Sequence, residues 1–334
     1  MASLQKIANE LDVSVSLVSK VLNNRLGTTK TRPDVANRIR ETAHRLGYRR
    51  NASAVALKAG RQNAIAVVIK KHGRHGAGIN EAVINGITDA MKGSGQRQSL
   101  SFYNQPEEFH ELLPQLHSNS IDGLIIAGMR WLPILDDLMA VKQSGVPVVS
   151  VFNEPVSDSI PNVGIGDAKL IRLAMQHLID QGRRCILHAS SNKYREAGYF
   201  EAMERNGLPV EPEMVYYERG KRSYMPVTAR ILIERAQQVG IKFDAICCQS
   251  DTQAMGAIST LKELGLRVPE DVAVTGVDNS QWAMISDPGI TSVSQQFQER
   301  GALAVKLLNQ IIEGESVADT SLNPELFVRE SSGG

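Results

Sequence analysis

The sequence predicts a small all-α head followed by an α/β body built on doubly wound parallel sheets. Three observations predict it. Short stretches of helical periodicity crowd the first 48 residues, apolar strand-like runs alternate with amphipathic segments from Ala64 onward, and charge divides between the two parts. Residues 1–61 hold 12 Lys and Arg against 4 Asp and Glu, a net of +8, whereas the remainder holds 25 against 32, a net of −7. The whole-chain formal charge of +1 hides this asymmetry. A basic head on a mildly acidic body suggests a polyanion-binding module attached to a second function. Chance clustering of charge is the plainer alternative.

At 334 residues the chain exceeds one ordinary domain and has room for two or three. Apolar residues make up 42% and charged residues 22%, as in soluble globular proteins. No apolar run approaches the ~20 residues that span a bilayer. Glu10, Asp12 and Lys20 interrupt any signal-peptide layout at the start. Cys185, Cys247 and Cys248 are too few for a disulfide framework. Adjacent in a strand, Cys247 and Cys248 would face opposite sides, which suggests no metal ligation. A cytoplasmic protein without metal or cofactor is the expectation.

In the head, Leu4, Ile7, Ala8 and Leu11 recur at i, i+3, i+4 and i+7 and give LQKIANEL one apolar face. A tight Asp12–Val13–Ser14 link follows, with Ser14 placed to cap the next helix. That second helix, within VSVSLVSKVLNN, carries Val18, Val21 and Leu22 on one side. Val15, Ser16, Ser19, Lys20 and Asn23 lie on the other. A third helix begins near Thr31 with Pro33 in its first turn. It directs Val35, Ile39, Ala43 and Leu46 inward and stops at Gly47. None is stable alone, so the three are expected to share one core.

Two short helices joined by a three-residue turn form a helix-turn-helix, whose second helix can lie in the major groove of DNA. Val15, Ser16 and Lys20 are placed to meet base edges, Val15 at a thymine methyl and Lys20 at a guanine. Ser14, Ser19 and Asn23 are placed to hold phosphates. Spacing alone leaves a generic helical bundle with a solvated face equally open.

In the body the strand-like runs are AIAVVI (64–69), LSFY (100–103), DGLIIAG (122–128), VPVVSV (146–151), CILHA (185–189), VYY (215–217), DAICC (244–248) and DVAVTGV (271–277). Amphipathic stretches at 79–92, 133–144, 167–181, 195–206, 226–239 and 252–264 separate them. This rhythm argues for parallel sheets covered by helices on both faces. So many strands suit two similar subdomains better than one very large sheet. Such sheets bind ligands beyond the carboxyl ends of their strands. The candidate positions are therefore 70–75, 128–131, 152–153, 190–195, 249–251 and 278–279. Each alone can be a solvated loop tip; together they are polar or aromatic enough to line a cleft between two lobes.

IANELDVSVSLVSKVLN, followed by TRPDVANRIRETAHRLGYRRNASAVALKAGRQNAIAVVI, resembles the head and linker of the LacI/GalR family of bacterial regulators. Shared with the family are Ile7-Ala8, Val13-Ser14, Val18-Ser19, Val21-Leu22-Asn23 and Leu46-Gly47-Tyr48. The chain departs at Leu17, Lys20, Arg50 and Val55, where Thr, Arg, Pro and Arg are usual. Lys20 keeps the charge but not the bidentate fork of Arg, so no operator preference carries over. LGLRVPEDVAVTGVDN (264–279), PGITSVSQQF (288–297) and NKYREAGYFEAM (192–203) extend the resemblance through nearly the whole chain.

The resemblance implies a helix-turn-helix DNA-binding domain over 1–48, a hinge helix and linker over 49–62, and an effector-binding and dimerisation body over 63–334. The body would be two-lobed, of the type I periplasmic-binding-protein fold. Its first lobe would take in about 63–160 and 291–320, and its second about 161–290 and 321–334, with crossovers near 160, 290 and 320. In the hinge NASAVALK, the resemblance assigns Asn51, Ala54 and Leu57 to DNA, with Leu57 as the wedge into the minor groove.

For the effector, Arg195 matches the arginine that grips it, and Asp278 an acid that accepts hydroxyl or amine hydrogen bonds. Gln295 and Phe297 lie at a crossover that lines the cleft. Ser250 stands where sugar binders of the family often have Asn, and Phe152-Asn153 where Asp-Arg is usual. Trp131, Asn153, Lys70 and Arg74 complete the expected contacts. The loop KKHGRHGAG (70–78), through Lys70, Arg74 and His72, suggests an anionic effector such as a sugar acid or sugar phosphate. A solvated basic loop is the alternative.

The function implied is that of a sequence-specific transcriptional regulator, expected to be a repressor. It would bind a pseudo-palindromic operator as a homodimer under allosteric control by a small polar metabolite, a sugar or sugar derivative. Without an apolar heptad tail, a dimer is expected rather than a tetramer. One rival is a ligand-binding transport protein, which leaves the head unexplained. The other is a sugar-converting enzyme, for which no Ser/His/Asp constellation, metal cluster or Gly-rich phosphate loop stands out.

Overall fold

The computed structural model describes residues 3–22, 31–48, 61–71, 77–116, 121–128, 132–190, 192–218 and 226–334. The chain divides into two compact units, Met1–Gln62 and Asn63–Gly334.

The first unit holds α1 (Leu4–Leu11), α2 (Val15–Leu22) and α3 (Pro33–Arg45). Ser3 caps α1 by accepting from the Lys6 amide at 3.2 Å. Asp12, in the left-handed region at φ 53°, ends it. Ser14 Oγ accepts from the Leu17 amide at 3.1 Å and starts α2. α3 starts just after Thr31 with Pro33 in its first turn, as expected, because Arg32 is extended and proline suits the first helical position. Ile7, Ala8, Val18, Val21, Ala36, Ile39 and Ala43 form one buried cluster. Val35 is only half-buried, and Thr42 joins the inward face in its place. An Arg45–Glu10 ion pair ties α3 to α1.

The second unit has two lobes. In the first, β1 (Ala64–Lys70), β2 (Arg97–Tyr103), β3 (Gly123–Ala127) and β4 (Val148–Val151) form a parallel sheet in the order β2-β1-β3-β4. Side chains alternate across it. Ile65, Val67, Ile69, Ile125 and Val149 pack against Val83, Ile87, Ala304 and Leu308 on one face. Ala66, Val68, Leu124 and Ile126 meet Phe109, Leu116, Leu138 and Val141 on the other. Burial of one such aliphatic side chain contributes about 1.5–3 kcal/mol. Both faces are covered, so β1 and β3 read as unbroken apolar runs rather than as alternating ones.

Helices Ala77–Met91 and Phe297–Ile312 share the first of these faces. Their backbones meet through glycine. A Cβ on Gly86 would lie 1.9 Å from the Gln298 carbonyl oxygen, and one on Gly301 would lie 2.5 Å from that of Val83.

In the second lobe, β6 (Ile186–Ser190), β7 (Val215–Tyr217), β8 (Ala245–Cys248), β9 (Ala273–Asp278), β10 (Thr291–Ser294) and β12 (Glu325–Phe327) form a sheet ordered β12-β10-β9-β8-β6-β7. All neighbours run parallel except β12 against β10. Helices Asp167–Asp180, Lys193–Arg205, Val227–Gln238 and Asp251–Glu263 contribute Leu170, Tyr199, Leu232 and Leu261 to its core. A two-stranded ribbon of β5 (Val163–Gly164) and β11 (Thr320–Ser321) completes the body.

Residues 291–294 were expected in the first lobe, but they form β10 of the second sheet, paired with β9 from Thr291↔Thr275 to Ser294↔Asp278. The return to the first lobe therefore comes at Gln295-Gln296. There Gln296 takes φ 50° and precedes helix Phe297–Ile312. Among the described residues no helix is long and apolar enough to cross a membrane.

Candidate functional site

Polar side chains from both lobes converge where the chain passes between them. The hub is Asp167, the first residue of its helix and itself buried. Its Oδ1 accepts from Arg195 Nε at 2.7 Å and from Asn153 Nδ2 at 2.8 Å, and its Oδ2 accepts from Asn192 Nδ2 at 2.6 Å. The Asp167 amide donates to Glu154 Oε1 at 2.9 Å. Arg195 also directs Nη1 to the Gln249 carbonyl.

Asn153, just after β4, uses both amide hydrogens: one for Asp167 and one for Gln295 Oε1 at 2.8 Å. Its Oδ1 accepts from Arg300 Nη1 at 2.8 Å. Arg300 is buried and donates through Nε to the Val163 carbonyl at 3.2 Å. Gln295 Nε2 in turn donates to Asp278 Oδ1 at 2.5 Å. A continuous hydrogen-bonded chain thus runs from Arg300 and Asn153 on the first lobe to Asp167, Arg195 and Asp278 on the second.

The carboxylates of this junction are held differently. Burial alone would raise the Asp167 carboxyl, but the charge of Arg195 and hydrogen bonds from Arg195, Asn153 and Asn192 hold it below its ordinary value. Desolvation and then the charge of Asp251 raise Asp278. Burial likewise raises Asp251, although Ser292 Oγ donates to it at 2.5 Å and Ser280 donates from its amide at 2.7 Å and its hydroxyl at 2.8 Å. A Cβ on Gly276 would stand 2.5 Å from Asp251 Oδ1, so glycine is needed there. Asp278 and Asn279 sit at φ 113° and 47°, a strained turn of the kind found at ligand sites. Arg329 Nη2 pins Asn279 through Oδ1 at 2.6 Å.

Of the effector residues expected from the sequence, the structure brings Asn153, Arg195, Asp278 and Gln295 into one network. Ser250 is buried and caps helix Asp251–Glu263, accepting from the Gln253 amide at 3.3 Å. Lys70 is buried and donates through Nζ to the Asn104 carbonyl at 2.6 Å. Burial, opposed by the charge of Glu108, lowers it to about 8. Phe297 packs on the first-lobe core with the Arg300 guanidinium 5.3 Å from its ring, and joins none of these hydrogen bonds. Trp131, Arg74 and His72 lie outside the described residues.

Asp167 and Arg300 were not anticipated. Asp167 heads a helix just after Gly166, where an acidic residue reads as a charge on the helix terminus. Arg300 sits in an amphipathic helix, where an arginine reads as solvated. A groove of about 450 Å³ elsewhere in the first lobe, lined in part by Ala66, Val68, Ser99, Ser101 and Leu116, shares no residue with the network.

On the first unit, α2 exposes Ser16 and Lys20, while Val15 and Ser19 are half-buried. Ser14 is exposed and holds the helix start. Asn23, Asn51, Ala54 and Leu57 lie outside the described residues.

A helix-turn-helix unit in one chain with a two-lobed α/β body, joined inside by a polar network, is the construction of a ligand-responsive regulator of transcription. Comparison with known proteins agrees. Residues 175–332 match the periplasmic binding protein-like domain family. Catabolite control protein A of Priestia megaterium is 30% identical over 329 residues, which cover 96% of this chain and 95% of that protein. The HTH-type transcriptional repressor CytR of Escherichia coli (strain K12) is 27% identical over 345 residues, which cover 99% of this chain and 96% of that one. The transcriptional regulator CelR, solved as a cellobiose complex, superposes with a TM-score of 0.72 at 26% identity, covering 99% of this chain and 100% of that one. The Lac repressor dimer bound to operator and the anti-inducer ONPF shares the fold, with a TM-score of 0.80 at 23% identity over 99% of each chain. The chain belongs to the LacI/GalR family of transcriptional regulators, and it is a regulator rather than an enzyme.

Proposed function

We propose that this protein is a cytoplasmic, sequence-specific repressor that binds a pseudo-palindromic operator as a homodimer under the control of a sugar or sugar-like metabolite. The observation that carries this reading is the hydrogen-bonded chain linking Asn153 and Arg300 to Asp167, Arg195 and Asp278 across the two lobes. A polar ligand that competes for these groups changes the balance between lobe arrangements, and only such differential binding can shift an equilibrium. By linkage, operator and effector then alter each other's affinity by the same factor. Support also comes from relatives: CytR is a repressor, CelR was solved with cellobiose, and the Lac repressor was solved as a dimer on operator.

In this reading residues 1–48 read DNA, 49–62 form the hinge and 63–334 bind effector and partner subunit. Val15, Ser16 and Lys20 face base edges, and Ser14, Ser19 and Asn23 face phosphates. Asn51, Ala54 and Leu57 engage DNA, Leu57 in the minor groove. Asn153, Arg195, Ser250, Asp278 and Gln295 surround the ligand, with Lys70, Arg74, Trp131 and Phe297 at its margin.

Selection of bound fragments from a genomic library, followed by gel retardation across a sugar panel, tests the proposal. A two-fold-symmetric site whose retention changes with one sugar is expected. Equal retention of selected and random duplex overturns it.

A further inference from the structure

We propose that Asp167 determines ligand specificity by closing Arg195 to anions, so that the junction takes an uncharged or cationic hydroxyl- or amine-bearing compound and rejects carboxylates and phosphates. This deepens the effector reading above and rests on it. The Arg195–Asp167 pair is 2.7 Å long, and its side chains are only 5% and 7% exposed. Arg195 Nη1 also serves the Gln249 carbonyl. An anion at Arg195 would share a guanidinium whose charge a buried carboxylate already neutralises, and drawing Arg195 away would leave that carboxylate without its counter-ion, a heavily penalised state.

The other cations nearby are similarly engaged. Arg300, 1% exposed, serves Val163 and Asn153. Lys70, 6% exposed, serves the Asn104 carbonyl, so it gives no support to the anionic effector that its loop suggests.

The acids differ. Asp278 is partly exposed, and its carboxyl accepts from Gln295 at Oδ1. Asp251 adds a second negative charge close enough to raise Asp278. The junction therefore offers a ligand the carboxyl of Asp278. A hydroxyl or ammonium group can donate to it, and an ammonium favours its ionised form, whereas an anion has no proton to donate and meets like charge wherever the acid is ionised.

The test uses full-length protein, Asp167→Asn, and Asp167→Ser as a second variant should the first fail to fold. Sulfate and glucuronate serve as anionic probes, with glucose and glucosamine as uncharged and cationic counterparts, all at constant ionic strength. The arginine Nε–H resonances are followed by NMR, with that of Arg195 assigned by its loss in Arg195→Lys. In wild type, sulfate and glucuronate should leave the Arg195 resonance in place. In the Asp167 variants they should bind at least about tenfold more tightly, a difference of about 1.4 kcal/mol, and the Asp167→Asn/Arg195→Gln double variant should lose this gain. Saturable movement of the Arg195 resonance by either anion in wild type, or equal anion affinity in wild type and variants, overturns the proposal. Gel retardation of the same wild-type sample is read separately. Failure to select DNA would remove the regulator reading while leaving the anion comparison intact.

Discussion

Gln295 donates to Asp278 Oδ1 at 2.5 Å while its own carbonyl oxygen accepts from Asn153 at 2.8 Å. One side chain, placed where the chain leaves the second sheet, thus ties an acid of one lobe to an amide of the other. A group that donates to Asp278 Oδ1 would compete with Gln295 for that oxygen.

The raised Asp278 and Asp251 carboxyls bind protons more readily in the folded chain than in the unfolded one. Stability is therefore expected to fall as pH rises from the ordinary carboxylate range towards about 7, the value to which Asp278 is pushed. Asp278→Asn removes one charge and keeps an oxygen for Gln295. It should melt a few degrees above wild type at pH 8, with the difference shrinking at pH 5. Calorimetric scans at both pH values check this, and a lower Tm for the variant at pH 8 would contradict it.

Gly86→Ala forces a Cβ to within 1.9 Å of the Gln298 carbonyl, so helices Ala77–Met91 and Phe297–Ile312 must separate. Overpacking of this kind costs about 1–3 kcal/mol or more. The urea midpoint of the body transition should fall accordingly. An unchanged midpoint would mean that the helices slide apart without loss.

Ser14→Ala removes the side-chain acceptor at the start of α2. A loss of about 1 kcal/mol in the stability of the first unit is expected. If Ser14 also holds a phosphate, the variant should bind all duplexes more weakly without changing their ranking. Salt titrations of DNA affinity separate the two effects.

Lys20→Ala should compress the affinity difference between the selected operator and single base-pair variants by about 1–3 kcal/mol at one position per half-site. Fluorescence anisotropy across the variant set measures it. An unchanged ranking would move Lys20 from base reading to backbone attraction.

The periodicity of the body was legible because β1, β3, β8 and β9 are apolar on both faces and the helices between them are amphipathic. β10 was not. In TSVS, Thr291 and Ser292 are buried by hydrogen bonding rather than by apolarity, to Arg329, Ser331 and Ser332 and to Asp251. A polar strand satisfied by distant partners carries no hydrophobic signal. The expected lobe boundary near 290 therefore fell before this strand, although the helix from Phe297 does lie in the first lobe as expected.

At the site, Arg195, Asp278, Gln295 and Asn153 were legible from position, since they follow strand ends or match a family pattern. Their partners were not. Asp167 is 28 residues from Arg195, and Arg300 is 147 from Asn153.

By itself, the order of residues determined the three-helix head, its basic charge, the alternation of strand and helix and the acids and amides at the strand ends. Those properties are local, set by side-chain period and backbone preference. Tertiary structure alone decided that Asp167 neutralises Arg195 and that Lys70 faces the Asn104 carbonyl. Pairing depends on which strand ends and helix starts lie side by side, and no local pattern encodes that.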